Sequence, residues 1–215
     1  MLKVSEITQD ILQSADLELE AMRKGVLNLS AYAEQIHDEV ENRTFKKVKK
    51  TTIVVALSRL QTRLSNIPTL QPQIYLDKLS VKSPLVTITY EKTRQSLEQS
   101  RSLSVFLSHH DPQFITITQG TDELTIIVSQ DQLDTTLEYF DAEPKAVCHN
   151  LVGVTVQFTE KYLSQPNVIY TILAALAGKR INIIEIVSTY TELTVIIEQA
   201  QLEVAIRTLN RFFRV

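Results

Sequence analysis

The most reactive side chains are few and poorly spaced for catalysis. His109, His110 and Asp111 run together before Pro112, and His149 follows Cys148. A metal centre needs three or four converging ligands, and the chain contains neither an HxxxH nor a CxxC word. The cluster reads as a turn, and neither a metal nor a cofactor is expected. The four glycines, Gly25, Gly120, Gly153 and Gly178, lie far apart, which excludes a phosphate-cradling loop and a GxSxG elbow. No residues are placed to carry catalysis, so an enzyme is not expected. Cys148, the single cysteine, cannot form an intrachain disulfide, fits a reducing compartment, and reads as a small buried or half-buried side chain.

A second chemistry is electrostatic. Between residues 43 and 63 the chain carries Arg43, Lys46, Lys47, Lys49, Lys50, Arg59 and Arg63 and no acid, although the net charge is −3. Only this segment can attract a polyanion. Ile53, Ala56, Leu57, Leu60 and Leu64 form one helical stripe, which turns Thr51, Val55, Ser58 and Thr62 outward with Arg59 on the flank. That face is small and polar enough for a major groove, with Lys49 and Lys50 on phosphates. If about five of the seven cations met phosphates, log affinity would fall against log salt with a slope of about −4 to −5. The words LSAYAEQI and VKKTTIVVALSRL together look like a helix-turn-helix module. About eight residues, Arg43 to Lys50, separate the two helices, where that motif turns in three or four. DNA binding, contact with a protein, and a plain solvated face all remain open for residues 43–63.

The elements that carry these residues fall into two classes. Residues 1–66 read as all helix: Ser14 caps a helix ending near Gly25, and Leu29, Ala33, Ile36 and Val40 form a stripe before the basic one. Residues 67–83, bracketed by Pro68, Pro72 and Pro84, read as a linker, with IYL and LSV pairing as a short hairpin around Asp77 and Lys78. Beyond them the chain repeats itself. ELTIIVSQDQL starts at residue 123 and ELTVIIEQAQL at 192, and the same offset pairs Leu103 with Ile172, Leu107 with Leu176, Phe114 with Ile183, Ile117 with Ile186 and Phe140 with Leu209. Such a period is longer than the roughly 20 to 50 residues of solenoid repeats, so each copy is a small domain, one over 84–149 and the other over 150–215.

Each copy reads strand, helix, strand, strand, helix, the split βαβ order of a ferredoxin-like antiparallel sheet. The fold class is therefore α+β: an all-helical N-terminal domain followed by two βαββαβ domains. Residues 145–150 are available as the first copy's last strand and run into the second copy's first. The second copy ends at Val215 without a fourth strand, so either residues 213–215 form a stub or residues 73–81 donate the strand.

The words SQPNVIYTILAALAGKRINIIEIVST and ELTVIIEQAQLEVAIRTL, over residues 150–213, resemble the ACT domain, most closely the regulatory end of aspartokinases. They follow that family's S-x-P-G-V helix opening and G-I-N-I second strand. The first copy joins the resemblance through its likeness to the second. The resemblance implies binding of a small molecule, usually an amino acid, between paired domains. It also implies that Gln165, Asn167 and Val168 at the helix opening, and Asn182 and Ile183 at the second strand's start, touch that ligand. Asn167 stands where the family has Gly, so either the chain bends differently or Asn takes a left-handed conformation. The first copy has EKTRQSLEQ at the matching place, which implies a lost pocket.

The reading that follows is a non-enzymatic regulatory protein. It senses an amino acid or similar metabolite through tandem ACT domains and relays this to a helix-turn-helix-like, DNA-binding module. The alternatives are a regulatory subunit acting on an amino-acid biosynthetic enzyme by protein contact, and a scaffold with vestigial pockets. A homodimer is expected because open sheet edges seek partners. No membrane is expected as a partner: the apolar runs are far short of the roughly 20 residues that span a bilayer. The opening MLKVSEITQD lacks the apolar core of a signal peptide, and a cytoplasmic location is expected.

Overall fold

The computed structural model describes residues 3–64, 69–108 and 114–213, with only the backbone of Ser108. The turn at His109, His110 and Asp111 and the end at Val215 lie outside them. Two compact units result, Met1–Pro72 and Gln73–Val215.

The first unit is helical: α1 (Val4–Gln13), α2 (Asp16–Arg23), α3 (Leu29–Gln35), α4 (His37–Thr44) and α5 (Lys50–Gln61). Their apolar faces share one core that includes Ile7, Leu12, Met22, Ala33, Val40, Ile53 and Leu57. Ser14 does not cap α2; its hydroxyl donates to the Asp10 carbonyl and closes α1. Gly25 does end α2: its φ of 72° reverses the chain, and Val26 N–H then reaches back to the Ala21 carbonyl. The stripe from Leu29 to Val40 is split between α3 and α4, which break at Ile36. The α4–α5 connector is residues 45–49, shorter than the eight expected, because Arg43 and Thr44 still belong to α4 and Lys50 already opens α5.

The second unit is α+β, with one six-stranded antiparallel sheet in the order β2-β3-β1-β4-β6-β5. In chain order its elements are β1 (Leu76–Glu91), α6 (Arg94–Ser108), β2 (Thr116–Gln119), β3 (Glu123–Ser129), α7 (Leu133–Glu138), β4 (Ala146–Phe158), α8 (Val168–Ala177), β5 (Ile183–Ser188), β6 (Glu192–Glu198) and α9 (Leu202–Leu209). The strands expected in two sheets thus form one, because β1 and β4 are long enough to serve both halves. Residues 85–91 of β1 pair with β3, while residues 76–82 pair with 153–158 of β4. Residues 76–82 therefore sit beside the second copy's first strand, as the donor reading of 73–81 anticipated. No hairpin forms at Asp77 and Lys78, since β1 runs straight through them. Residues 146–149 of β4 in turn lie against β1 beside the first copy.

Helices cover one face of the sheet. Leu103 and Leu107 of α6, with Phe140 after α7, pack on Val86, Ile88, Leu124 and Ile126. Ile172 and Leu176 of α8, with Ala205 and Leu209 of α9, pack on Val152, Val154, Val195 and Ile197, and the donor residues Ile74 and Leu76 join this core. Strand side chains alternate between faces, so Leu85, Ile127, Leu151 and Ile196 point the other way and form their own buried cluster. Cys148 is exposed rather than buried. It lies on the stretch of β4 that precedes the pairing with β6, so only β1 flanks it.

Candidate functional site

The second copy's first strand and first helix are joined by residues 159–167, a short 3-10 turn (Glu160–Tyr162) followed by a bend. Asn167 precedes α8 with φ 69° and ψ 12°, so asparagine itself takes the left-handed conformation. Pro166 stands one residue earlier, outside the helix. The first N–H groups of any α-helix lack partners within it. Here no side chain caps α8, and among the described residues no hydrogen bond ends on the N–H of Val168, Ile169 or Tyr170.

This helix start opens on a half-open cavity of about 360 Å³, within the range of roughly 300 to 1,000 Å³ usual for small-molecule sites. Its wall comes from the end of β4 (Phe158), the loop and α8 (Tyr162, Leu163, Gln165, Asn167, Val168, Ile169, Tyr170) and the β5–β6 turn (Ser188, Thr189, Tyr190). Gln165, Asn167 and Val168 are thus brought together. Asn182 and Ile183 are not among the lining residues. They stand at the start of β5, and Ser188 at its far end is about 16 Å away at roughly 3.3 Å per strand residue. The sequence reading missed Phe158, the tyrosines and the β5–β6 turn. The duplication offset places the turn beside Gly120, a signal that was available.

The first copy is built differently at the equivalent place. The Lys92 N–H donates to the Asp122 carbonyl at 2.9 Å, as the Phe158 N–H donates to the Thr191 carbonyl at 3.0 Å, so Lys92 and Phe158 are structural counterparts. The Lys92 ammonium crosses to the Gly120 carbonyl at 2.7 Å. The joining loop is only Lys92 and Thr93. Thr93 and Ser96 form a reciprocal cap, with Ser96 N–H on Thr93 Oγ1 at 3.0 Å and Thr93 N–H on Ser96 Oγ at 2.9 Å. Below it Tyr90 stacks on Phe140 with ring centroids 4.0 Å apart. Burial first, and then Glu143, push its phenol up to about 12. A shorter loop, the Lys92 strap and a side-chain cap on the Ser96 N–H set the first copy's helix start apart from the second's.

In the helical unit, Thr51, Val55, Ser58, Arg59 and Thr62 are exposed on α5 while Ile53, Ala56 and Leu57 are buried, as the stripe required. Thr62 Oγ1 donates to the Arg59 carbonyl. Part of the basic charge is neutralised: Arg43 pairs with Asp10 and Glu39, Lys47 with Glu41, and Lys50 with Glu34. Among the described residues Lys46, Lys49, Arg59 and Arg63 make no ion pair. Arg59 and Arg63 edge a groove between α1 and α5 that Val4, Gln9, Val55 and Leu60 also line. The connector is held by a clamp on Val48, whose carbonyl accepts from His37 Nε2 at 2.7 Å and whose N–H donates to Glu41 Oε1 at 2.8 Å. The Val48 carbonyl, and then Asp38, raise the His37 pKa; the Val48 N–H, and then Lys47, lower that of Glu41.

No protein-family model matches the chain, and no curated protein matches it. Solved structures do. An aspartate kinase from Clostridium acetobutylicum, described as an allosteric enzyme, is 17% identical with a TM-score of 0.55, over 67% of this chain and 36% of that one. The ligand-free regulatory subunit of aspartate kinase from Thermus thermophilus is 16% identical with a TM-score of 0.54, over 65% of this chain and 99% of the subunit. A structure of aspartokinase alpha and beta subunits gives 17% and 0.52, over 65% of this chain and 99% of that one. The chain therefore spans about a third of the clostridial enzyme, and about two thirds of it share the fold of aspartokinase regulatory regions, an ACT-like α+β architecture.

Proposed function

We propose that the chain is a regulatory protein whose sheet unit binds an amino acid or similar small metabolite and whose helical unit passes the signal on. The observation that carries this reading is the cavity at the start of α8, with three N–H groups that have no hydrogen-bond acceptor among the described residues, at the positive end of a helix where a carboxylate is stabilised. The fold likeness to aspartokinase regulatory subunits supports it. On this reading the two copies are tandem ACT domains, the second holding the effector and the first serving as its structural partner. The outer strands β2 and β5 present unpaired edges, and two copies of the chain pair through such an edge. A coupling of about 1 to 3 kcal/mol between a filled cavity and that pairing is enough for a switch.

For the helical unit, the output is duplex DNA read by Thr51, Ser58 and Thr62, with Lys49, Lys50 and Arg59 on phosphates. The ion pairs on Arg43, Lys47 and Lys50 favour a second reading, in which the same face docks on a protein such as a biosynthetic enzyme. A thermal-shift series over the amino acids tests the sensing half. A ligand at about a hundredfold its dissociation constant adds roughly 2.7 kcal/mol to the stability of the state that binds it. A flat response across the series excludes it.

A further inference from the structure

We infer that the α8 cavity selects an amino acid with a neutral apolar or aromatic side chain and discriminates against those with charged ones. This rests on the effector-site reading above and adds the class of ligand. Among its described lining residues there is no Asp, Glu, Lys, Arg or His. A charged group moved out of water needs a partner of opposite sign, and this wall offers none for the side chain of lysine, arginine, aspartate or glutamate. The positive end of α8 meets the α-carboxylate that every amino acid carries. A second cation also meets the positive end of α8; the Lys161 ammonium, 4.8 Å over the Tyr162 ring, is not among the described lining residues.

What the wall does offer is rings and methyl groups. Phe158, Tyr162, Tyr170, Tyr190, Leu163 and Ile169 surround the opening, and aromatic walls reward apolar and aromatic guests. The counterpart of Phe158 is Lys92, so a charge that the first copy sets at this place is replaced in the second by a phenyl ring. Tyr190 and Tyr170 are 67% and 40% exposed, a degree of exposure that suits surfaces waiting to be covered.

Calorimetric titration of the full chain with leucine, phenylalanine, tyrosine, lysine, arginine, aspartate and glutamate tests this. The expected result is binding of one or more of the first three at least tenfold tighter than of the last four. Tyr190→Ala and Tyr170→Ala, both at exposed positions that leave the core intact, are expected to weaken that binding at least tenfold. Gln165→Glu is expected to move the lysine-to-leucine preference at least tenfold toward lysine. If a charged amino acid binds as tightly and the tyrosine variants weaken it, the selectivity is overturned while the effector site stands. If nothing in the series binds, or if binding ignores both tyrosines, the effector-site reading falls and the selectivity with it.

Discussion

Leu85 and Leu151 stand directly opposite each other in the β1–β4 ladder, each at the point where its strand passes from one half of the sheet to the other. Just before Leu85 lies Pro84, and just before Leu151 lies Asn150, whose φ is 56°. Leu85 also faces Ser129 on β3, and Leu151 faces Glu198 on β6, positions that correspond in the two copies. The pair therefore marks an approximate two-fold axis through the sheet, and Ile127 and Ile196 complete a buried four-residue cluster around it.

That cluster sets the first prediction. Leu151→Ala is expected to cost about 2 to 5 kcal/mol in urea unfolding, the range for large-to-small changes in a closed core. Gly153→Ala acts by the opposite route, since a new Cβ meets Leu85 Cδ1 at 3.1 Å and Ile196 Cδ1 at 3.3 Å. Overpacking of that kind is expected to cost about 1 to 3 kcal/mol.

The donated strand gives the second. Leu76 lies in the core under α8 and α9, far along the chain from most of its partners. Leu76→Ala is expected to cost about 2 to 4 kcal/mol, with amide exchange quickening at Val154 and Val156 before it does at Ile126 and Val128. Uniform quickening across both halves would argue that the donated strand serves the sheet as a whole.

The clamp on Val48 titrates in both directions. His37 has a folded pKa above its ordinary 6.5, so its contribution is present below that value and is lost as pH rises through the folded one. Glu41 has a folded pKa below its ordinary 4.5, so its contribution is present above that value and is lost as pH falls through the folded one. Urea midpoints of the intact chain and of His37→Gln should converge at alkaline pH and separate as pH falls through the His37 titration. Parallel curves from pH about 5 to about 8 would show that the clamp does not titrate.

Asn167 supplies a backbone prediction. At φ 69° a β-branched residue is strained by roughly 1 to 2 kcal/mol. Asn167→Val is expected to destabilise the chain by about that amount, as heat denaturation would show.

If the helical unit binds duplex DNA, the four cations of residues 43–63 that make no ion pair among the described residues fix the salt dependence. Lys46, Lys49, Arg59 and Arg63 acting on phosphates predict a slope of log affinity on log salt of about −3 to −4, shallower than five contacts would give. Lys49→Ala is expected to make the slope shallower by about 1, as fluorescence anisotropy of a labelled duplex would show. No retention at low salt, with a protein partner captured instead through Arg59, would favour the docking reading.

The sequence by itself determined the order of elements, the inward and outward faces of α5, and the duplication. These follow from short-range periodicity and from the offset between two copies, which side-chain chemistry records directly. The family resemblance pointed to Gln165, Asn167 and Val168, and these three share one cavity wall. Only the tertiary structure decided that one sheet replaces two, that residues 76–82 lie beside a strand more than 70 positions away, and that Asn182 and Ile183 lie at the wrong end of β5 to line the cavity. Strand pairing and pocket walls depend on which distant segments meet, and no local pattern encodes that. The same limit hid the ion pairs from Asp10 and Glu34, which together with the local pairs from Glu39 and Glu41 reduce the basic segment to four free charges among the described residues.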